Sequence, residues 1–387
     1  MKRIVAEERK DWKAKAESLG FIFHTMYGEP YWDESVYYEF SMDQIENDIE
    51  DPSEEIHQMS LDVVDRVVTS EEYLTKLQIP EYYWQAIGES WIRRDPSLYG
   101  RFDLSYNGKK PAKMLEYNAD TPTSLYETAF FQWLWLEDKI NDGSFDDQTD
   151  QFNSLQDQII ERFEQLFEKG SHIHFSSAEG VTEDRQTVKY LEDCAAQAGM
   201  LPYYVDIEKI GIDRFGRFAD EQSNIIQSMF KLYPWEEMMR EDYGKYTCTH
   251  DMTWLEPMWK AILSNKAFLP LIWKFNKGHP NLLPAYFDGE EDADELGPTW
   301  VRKPIFSREG ANVTIFENGK EKEFAKGEYG EEGYIIQQYH QLPKFEGNYT
   351  VIGSWIVGDT PAGMAIREDK SPITKDLSRF IPHVIKG

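Results

Sequence analysis

The sequence predicts an α+β protein, because helical and strand-like patterns occupy different stretches of the chain. The first hundred residues are mostly helical in pattern, and residues 150 to 240 alternate between helix and strand. After about residue 297 the chain consists of short strand-like runs separated by Gly, Pro and Asn-Gly turns. Helices and strands grouped in this way are typical of the α+β class.

The segment 81–92 has apolar residues at 83, 84, 87 and 91, which is the spacing of one helix face, and Pro80 suits the start of that helix. Two strand-like runs, 101–106 and 112–118, flank an Asn-Gly turn and predict a hairpin. Thr121 fits an N-cap and the following proline fits the first helical position, so a helix is predicted to start there.

The later elements follow the same two periodicities. Helices are predicted at 154–167, 184–198 and 254–273. The stretch 289–297 is acidic and predicts a surface linker. Strands are predicted at 172–175, 203–205, 300–305, 313–316, 334–338 and 349–357.

The composition narrows the classes of partner. The 387 residues include 41 Lys and Arg against 70 Asp and Glu, a net charge of −29. A field of this sign repels nucleic acid and anionic membranes but is compatible with cationic amines. The acid could equally serve to keep a chain with 12 Trp and 22 Tyr in solution.

Two features bear on location. The N-terminus becomes acidic at Glu7 and Glu8 before an apolar signal sequence could form, and the apolar run 129–136 is far shorter than the roughly 20 residues that span a bilayer. The two cysteines, Cys194 and Cys248, form no CxxC pair, so neither a disulfide scaffold nor a cysteine zinc site is expected. These observations predict a cytoplasmic protein.

The hairpin around Asn107-Gly108 is the most informative feature. Side chains alternate along a strand, so Arg101 and Asp103 share one face, while Glu116 and Asn118 share a face of the partner strand. A two-residue loop would place residue 103 opposite 112, and a four-residue loop would place it opposite 114. In both registers the four side chains point to the same side.

Carboxylate and amide oxygens of this kind suit Mg²⁺, which binds one or two carboxylates together with nucleotide phosphates. The arginine would complement phosphate charge. A surface ladder of salt bridges would produce the same pattern. The run 118–124 favours the metal site, since its small hydroxyl residues precede a predicted helix start, where anions bind readily.

A second candidate segment is the strand 299–305, which contains Lys303 and runs into the Ser- and Gly-containing loop 306–312. A lysine beside such a loop can contact phosphates as a point charge. Neither a P-loop nor a GxGxxG motif occurs in the chain, and the GxSxG and HExxH motifs are also absent.

Several runs of residues resemble one family in combination. The chain resembles, along nearly its whole length, the synthetase domain of the glutathionylspermidine synthase family, and most closely its short bacterial members described as acid–amine ligases. That family has the ATP-grasp fold, here with an N-terminal helical and α/β region before it. The runs that carry the resemblance are Tyr-Gly-Arg-Phe-Asp at 99–103, Leu-Glu-Tyr-Asn-Ala-Asp-Thr-Pro-Thr at 115–123, Ser-Asn-Lys-Ala at 264–267, Lys-Pro-Ile at 303–305 with Ser-Arg-Glu-Gly at 307–310, Gln-Gln-Tyr-His at 337–340 and Gly-Met-Ala-Ile-Arg-Glu-Asp at 363–369.

The resemblance implies a role for each matching residue. Metal ligands for two Mg²⁺ ions would be Asp103, Glu116 and Asn118, and the catalytic arginines that stabilise the γ-phosphate would be Arg101 and Arg367. The acid substrate would lie near Thr121 and Thr123, with Glu183 or Asp184 also within reach. The residues that would bind ATP are Arg101, Phe102, Asp103, Lys266, Lys303, Gly310 in a lid loop, Gln337, Gln338, Tyr339, His340 and Pro372.

The resemblance also implies the reaction and the domains. ATP would convert a small-molecule or peptide carboxylate into an acyl phosphate, which an amine would attack to form an amide. The region 1–100 would be helical, 101–255 would carry the metal hairpin and an α/β substrate region, and 256–387 would bind ATP. The resemblance covers the synthetase domain and not the amidase domain of the bifunctional members, so no hydrolytic half is expected. A nucleotide-binding module without ligase activity and a ligase acting on a peptide terminus are the alternatives.

Overall fold

The computed structural model describes residues 1–249, 252–290, 295–308, 310–374 and 378–386. Most of its helices lie between residues 42 and 275, and its longest strands lie between residues 348 and 369. The predicted α+β class is therefore confirmed. The domain boundaries at residues 100 and 255 stay predictions.

The helices are joined by short 3₁₀ and π segments. The 3₁₀ segments are Glu81–Tyr83, Ile207–Lys209, Gly244–Cys248 and Met258–Ala261, and the π segments are Glu46–Glu50 and Glu127–Phe131. The α-helices are α1 (Trp12–Ser18), α2 (Met42–Ile45), α3 (Asp51–Val67), α4 (Glu71–Lys76), α5 (Trp84–Ile92), α6 (Gln132–Asn141), α7 (Leu155–Leu166), α8 (Thr182–Gln197), α9 (Trp235–Met238) and α10 (Phe268–Phe275).

The strands are spread over the chain. They are β1 (Lys2–Val5), β2 (Thr25–Met26), β3 (Glu29–Pro30), β4 (Val36–Phe40), β5 (Tyr99–Ser105), β6 (Lys113–Asn118), β7 (His172–Ser177), β8 (Leu201–Tyr204), β9 (Gly211–Ile212), β10 (Phe218–Ala219), β11 (Ser228–Leu232), β12 (Thr253–Leu255), β13 (Ala285–Phe287), β14 (Thr299–Pro304), β15 (Thr314–Glu317), β16 (Lys320–Phe324), β17 (Tyr334–Gln338), β18 (Lys344–Phe345), β19 (Asn348–Val357), β20 (Thr360–Asp369), β21 (Arg379–Ile381) and β22 (His383–Ile385).

Two antiparallel sheets position the candidate site. The first has the order β21-β20-β19-β5-β6, with β18 also paired to β19, and the second has the order β13-β17-β14-β15-β16. A four-stranded parallel sheet, β12-β11-β7-β8, accounts for the predicted α/β alternation. A three-stranded sheet, β1-β4-β22, joins the two ends of the chain.

Helix α3 covers one face of the first sheet. Its buried residues Ile56, Val63, Val64 and Val67 follow the spacing of an amphipathic helix, so burying them drives the packing. The Ser53 hydroxyl lies 2.7 Å from that of Ser354 on β19. Neighbouring residues of a strand point to opposite faces, so α3 leaves the face that carries Gly353 to the candidate site.

Most predicted elements are confirmed. Helix α5 begins at Trp84 after a 3₁₀ turn that follows Pro80, and α7 and α8 lie where helices were predicted. Six predicted strands correspond to β7, β8, β14, β15, β17 and β19.

The predicted helix over 254–273 is wrong for its first half. Residues 253–255 form β12, which pairs in parallel with β11, and α10 begins only at Phe268. Pro257 disfavours a helical conformation at Glu256, and pairing to β11 satisfies the backbone instead. The Glu256 carboxylate then accepts hydrogen bonds from the backbone N–H groups of Leu98 and Tyr99, at 3.0 and 3.1 Å.

The first forty residues contain strands that the helical prediction did not include. Strand β4 pairs with β1 on one side and with β22 on the other, so its partner lies at the far end of the chain. Such pairing cannot be read from local periodicity. In the predicted acidic linker, residues 291–294 lie outside the described residues, while Glu290 and Glu295 form ion pairs with Lys76 and Lys277.

None of the described helices is both long enough and apolar enough to cross a membrane. The cytoplasmic location stays a prediction.

Candidate active site

The site is built on the antiparallel pair β5 and β6. Asp103 lies directly opposite Glu116, and Arg101 lies directly opposite Asn118. Directly opposed residues in a sheet point to the same face. The four side chains therefore share one face, as the alternation argument expected.

The two registers proposed from the turn are nevertheless wrong. Leu104 pairs with Met114, and the register then shifts so that Asp103 pairs with Glu116. Leu115 is thus the extra residue of a β-bulge. Without the bulge Asp103 would oppose Leu115, and Glu116 would point to the opposite face. The loop is longer than either predicted turn and by itself would turn Glu116 and Asn118 to the opposite face. The extra residue of the bulge turns them back, so the four side chains still share one face.

The bulge is bound by a residue of the second sheet. Lys303 Nζ donates to the Leu115 carbonyl at 2.9 Å and to Gln337 Oε1 at 2.8 Å. Lys266 Nζ lies 3.1 Å from Glu116 Oε2 and donates to the Ser307 carbonyl at 2.7 Å. Both lysines predicted to bind ATP therefore reach the same hairpin from across the cleft.

Burial and the charges of the neighbouring side chains shift the pKa values of the ionisable groups in the cleft. Burial alone would raise the pKa of Glu116, but Lys266 and Lys303 outweigh it and lower the pKa to about 2. Burial lowers the pKa of Lys303 to about 8, in spite of the Glu116 charge. Burial raises the pKa of Asp103, although Arg101 opposes the shift.

Arg101 connects the hairpin to the segment after it. Its Nε donates to Asp103 Oδ1 at 2.8 Å, and its Nη1 donates to the Thr123 carbonyl at 2.9 Å and to Ser124 Oγ at 3.2 Å. Its guanidinium lies 5.6 Å from the centre of the Trp355 ring. These contacts direct Arg101 toward Asp103 and hold the loop 121–124 beside the hairpin.

Arg367 lies on the same face of the sheet. It pairs with Val351 on β19, two residues from Gly353, which is opposite Asp103. Burial raises the pKa of Asp103 and of Glu127, and the charge of Arg367 opposes both shifts, so it lies within electrostatic reach of both. The two arginines predicted to be catalytic are thus brought to one face.

Gly353 makes room for Arg101, and this yields a test. A Cβ at position 353 would lie 2.9 Å from Arg101 Cδ, closer than side chains tolerate. We expect Gly353→Ala to displace Arg101 and lower kcat about tenfold, because small misplacement of a reacting group is costly. The matched control is Gly211→Ala, because Gly211 has an ordinary φ and a Cβ there would meet only the Ala219 carbonyl, at 4.0 Å. Gly347 would not serve, because its φ is positive. Equal kcat values for Gly353→Ala and Gly211→Ala would contradict this role.

The helix predicted at Thr121-Pro122 begins later. Residues 121–124 are not helical, and the helix starts at Leu125. The loop is held by tertiary contacts instead: Arg308 Nη1 donates to Thr121 Oγ1 at 2.7 Å. Below it, the buried carboxylate of Asp120 accepts from Lys231 Nζ at 2.7 Å and from the Trp235 backbone N–H at 2.8 Å. Thr121 and Thr123 therefore lie in a loop outside the helix, and their role in binding the acid substrate stays a prediction.

The residues predicted to bind ATP line one cleft between the two sheets, except Arg101 and Phe102. Phe102 is fully buried and stacks on Tyr117 with ring centres 4.0 Å apart, so its side chain cannot contact a ligand. The alternation that directs Arg101 and Asp103 into the cleft directs Phe102 into the core. The predicted residues that do line the cleft are Asp103, Lys266, Lys303, Gly310, Gln337, Gln338, Tyr339, His340 and Pro372.

Sequence reasoning missed the apolar walls of this cleft. Val301 lies two residues from Lys303 on β14, and Val313 and Ile315 lie two residues apart at the start of β15. Their alternation could have indicated a shared face, but similar patterns occur in every half-buried strand. The missed lining residues are Leu115, Leu283, Val301, Val313, Ile315, Leu342, Ile373 and Thr374.

Glu183 lies in a second polar cluster. The Tyr31 hydroxyl lies 3.1 Å from Glu183 Oε1 and 2.8 Å from Glu127 Oε1. Glu127 begins a π-helical segment, a distortion often found at functional sites. Neither Tyr31 nor Glu127 was predicted, because nothing in their local sequence connects them.

The side-chain oxygens of Asp103, Glu116 and Asn118 suit a metal ion that takes its remaining ligands from a bound nucleotide and water. Across the described ranges, no group of three or more His, Cys, Asp or Glu side chains could hold a metal ion. The face formed by Asp103, Glu116 and Asn118 offers two carboxylates and one amide. This matches Mg²⁺, which takes its remaining ligands from phosphates and water.

Comparisons with known proteins identify the family of the chain. The family model for the glutathionylspermidine synthase preATP-grasp region matches residues 3–386. The chain is 39% identical over 397 residues to a Haemophilus influenzae protein named "Putative acid–amine ligase", covering 99% of both chains. It is 28% identical to the trypanothione synthetase of Crithidia fasciculata and 24% identical to the bifunctional glutathionylspermidine synthetase/amidase of Escherichia coli. It covers only 54% and 56% of those two proteins.

A solved structure supports the fold. The apo structure of a glutathione synthetase-like effector from Globodera pallida superposes with a TM-score of 0.56, covering 90% of this chain and 89% of that one, at 11% identity. The predicted ATP-grasp fold is confirmed. The family match and the ligases among the relatives define the class of protein as an ATP-dependent carboxylate–amine ligase. The chain belongs to the glutathionylspermidine synthase family.

Proposed function

We propose that the protein activates a carboxylate with Mg·ATP as an acyl phosphate and transfers the acyl group to an amine, forming an amide. The observation that carries this proposal is the approach of Lys266 and Lys303, from across the cleft, to the hairpin that bears Asp103 and Glu116. Glu116 lies 3.1 Å from Lys266, and Lys303 bonds the backbone next to Glu116. Cations and hard oxygen donors facing one another suit a metal-bound triphosphate.

Asp103, Glu116 and Asn118 would hold Mg²⁺ through their side-chain oxygens. When bound, the metal supplies positive charge that neutralises the phosphates and polarises the reacting phosphoryl group. In the free protein, Arg101 and Lys266 neutralise the same two carboxylates. Binding of Mg·ATP would therefore exchange these ion pairs for metal contacts and release both cations toward the phosphates.

The other side chains of the cleft would bind and orient the nucleotide. Lys266 and Lys303 would contact phosphate oxygens, and the apolar walls with the segment 337–340 would enclose the base. Gly310 would bring its loop close to the nucleotide: its φ is +70°, and a Cβ there would lie 2.7 Å from the Thr374 carbonyl. Only glycine meets both requirements at low cost.

Arg101 and Arg367 favour a ligase over a nucleotide-binding module without turnover. Binding of ATP needs neither arginine, whereas transfer of the γ-phosphate develops charge that preorganised cations stabilise. The acid substrate would lie near Thr121, Thr123 and Glu183, on the far side of Arg101 from the adenine end. The names of the relatives make glutathione-like acids and polyamines the first substrates to try.

The test is to incubate the protein with ATP, Mg²⁺ and pools of carboxylic acids and amines, including peptides, while measuring ADP and new amide masses. We expect ADP formation to depend on one acid pool, and an amide product to require one amine pool in addition. Omission of Mg²⁺ should abolish both. ADP release that no pool stimulates, without any product mass, would favour the nucleotide-binding module over the ligase.

A further inference from the structure

Glu127, Tyr31 and Glu183 form a chain in which one phenol hydroxyl lies between two carboxyl groups. Tyr31 Oη lies 2.8 Å from Glu127 Oε1 and 3.1 Å from Glu183 Oε1, and both distances are hydrogen-bond distances. Each contact needs one hydrogen, but a phenol has only one to donate. Burial raises the pKa of Tyr31 well above its usual range, so its hydrogen stays in place. A hydrogen on one of the two carboxyls would make both contacts full hydrogen bonds.

The extra proton belongs on Glu127. Its side chain is buried, and among the described residues no donor reaches its Oε2. A buried carboxylate with an unpaired oxygen is costly, whereas a neutral carboxyl is much less so. Burial, followed by the charge of Glu183, raises the pKa of Glu127 to about 8, while Arg367 opposes the shift. The groups that face Glu127 are Glu183, Tyr31 and Arg367, with Tyr126 beside it.

With the proton on Glu127, the hydrogen bonds of the three side chains run in one direction. Glu127 donates to Tyr31, and Tyr31 donates to the carboxylate of Glu183, which is partly exposed on the first turn of α8. Arg367 lies within electrostatic reach of Tyr31, of Glu127 and of Asp103 on the hairpin.

The proposed ligase reaction needs a proton acceptor at this position. An aliphatic amine is an ammonium ion at neutral pH and must lose a proton before its nitrogen can attack. The arginines cannot accept a proton, and Asp103 and Glu116 are assigned to the metal. We propose that Glu183, Tyr31 and Glu127 form a proton relay that takes the proton of a cationic amine substrate and stores it on Glu127. The inference rests on the proposed function.

Each proton in the relay has a defined origin and destination. When the ammonium ion binds beside Glu183, its charge displaces the stored proton through Tyr31 to Glu183 and then to water. The ammonium ion then gives one proton to Glu183, and the relay passes it to Glu127, leaving a neutral amine. The amine nitrogen forms a bond to the carbonyl carbon of the acyl phosphate as the carbon–oxygen bond to phosphate breaks. The second nitrogen proton leaves on the hydrogen phosphate ion.

The stored proton can be measured without any substrate. We expect an infrared difference spectrum between the wild type and Glu127→Gln at pH 7 to show the C=O stretch of one protonated carboxyl. The band should disappear as the pH rises through about 8. Glu346→Gln is the matched control, because Glu346 is an exposed, ion-paired carboxylate and should give no such band. Absence of the band in the Glu127→Gln difference would overturn the proposal.

The relay itself is tested with whichever amine stimulates amide formation. In the wild type, kcat/KM for the amine should fall tenfold per pH unit below about pH 8, because the free relay is then protonated. Glu127→Gln should remove this limb and lower kcat/KM at pH 8 about tenfold, less than the loss of a whole general base because Glu183 remains. KM for ATP and for the acid should stay within twofold.

Two outcomes separate the relay from a merely structural role for Glu127. A structural role would lower all parameters and leave the pH limb in place, which would overturn the relay. Tyr31→Phe breaks the connection without touching either carboxyl, so it should also remove the limb, and it serves if Glu127→Gln does not fold. If no amine stimulates product formation, the proposed function fails and the relay fails with it. An unchanged limb in a working ligase would overturn the relay alone.

Discussion

Replacing Asp103 by alanine should lower kcat/KM for ATP on the order of 10³-fold, the upper end of the cost of removing one electrostatic group from a reacting centre. Asp103 faces Glu116 and anchors Arg101, so its loss would remove a proposed metal ligand and free Arg101 at once. The Mg²⁺ concentration needed for half-maximal activity should rise in parallel. Both are measured by ADP formation in the presence of the acid substrate, with Mg·ATP affinity followed by calorimetry.

Asp288→Ala is the matched control for this change. Asp288 is also an aspartate paired with an arginine, since Arg302 Nε donates to it at 2.8 Å, but the pair is exposed on the second sheet. We expect that variant to keep wild-type kinetics, because exposed ion pairs contribute little. Unchanged Mg·ATP affinity in Asp103→Ala would show that the metal is bound elsewhere.

Replacing Lys303 by methionine should lower kcat/KM for ATP by about 10²-fold, within the range for one stabilising group at a reacting phosphoryl centre. The change removes a charge beside the phosphates and also leaves the Leu115 carbonyl and Gln337 Oε1 without their donor. Loss of those bonds should cost about 1–3 kcal/mol of folding free energy. Steady-state kinetics and denaturant unfolding measure the two effects separately.

Lys322→Met provides the comparison. Lys322 lies on β16 and pairs with Glu317 at 3.0 Å, but its side chain is 54% exposed, so kinetics and stability should both stay near wild type. If Lys303→Met lost stability but kept its KM for ATP, Lys303 would support the bulge without contacting the nucleotide.

The candidate site was predictable to the extent that it depends on local alternation. Alternation along two strands predicted that Arg101, Asp103, Glu116 and Asn118 share a face, and they do. The same rule, applied to Phe102, would have excluded it as a ligand contact, since its side chain must point the other way. The prediction for Phe102 came from the resemblance rather than from the strand.

The errors arose where distant contacts outweigh local preference. Thr121-Pro122 has the residues of a helix start, but Arg308 holds the threonine hydroxyl and Arg101 holds the carbonyl of Thr123, so the helix begins at Leu125. Likewise residues 253–255 form a strand because β11 offers hydrogen-bond partners along its edge.

The sequence by itself determined the chemistry of the cleft: oxygen ligands alternating on a hairpin, and lysines on segments that follow it. Only the tertiary structure decided the register, because the bulge at Leu115 is bonded by Lys303, which lies 188 residues away. Only the tertiary structure also joined Tyr31, Glu127 and Glu183, since burial and contacts between distant segments, rather than neighbouring residues, set their shared proton.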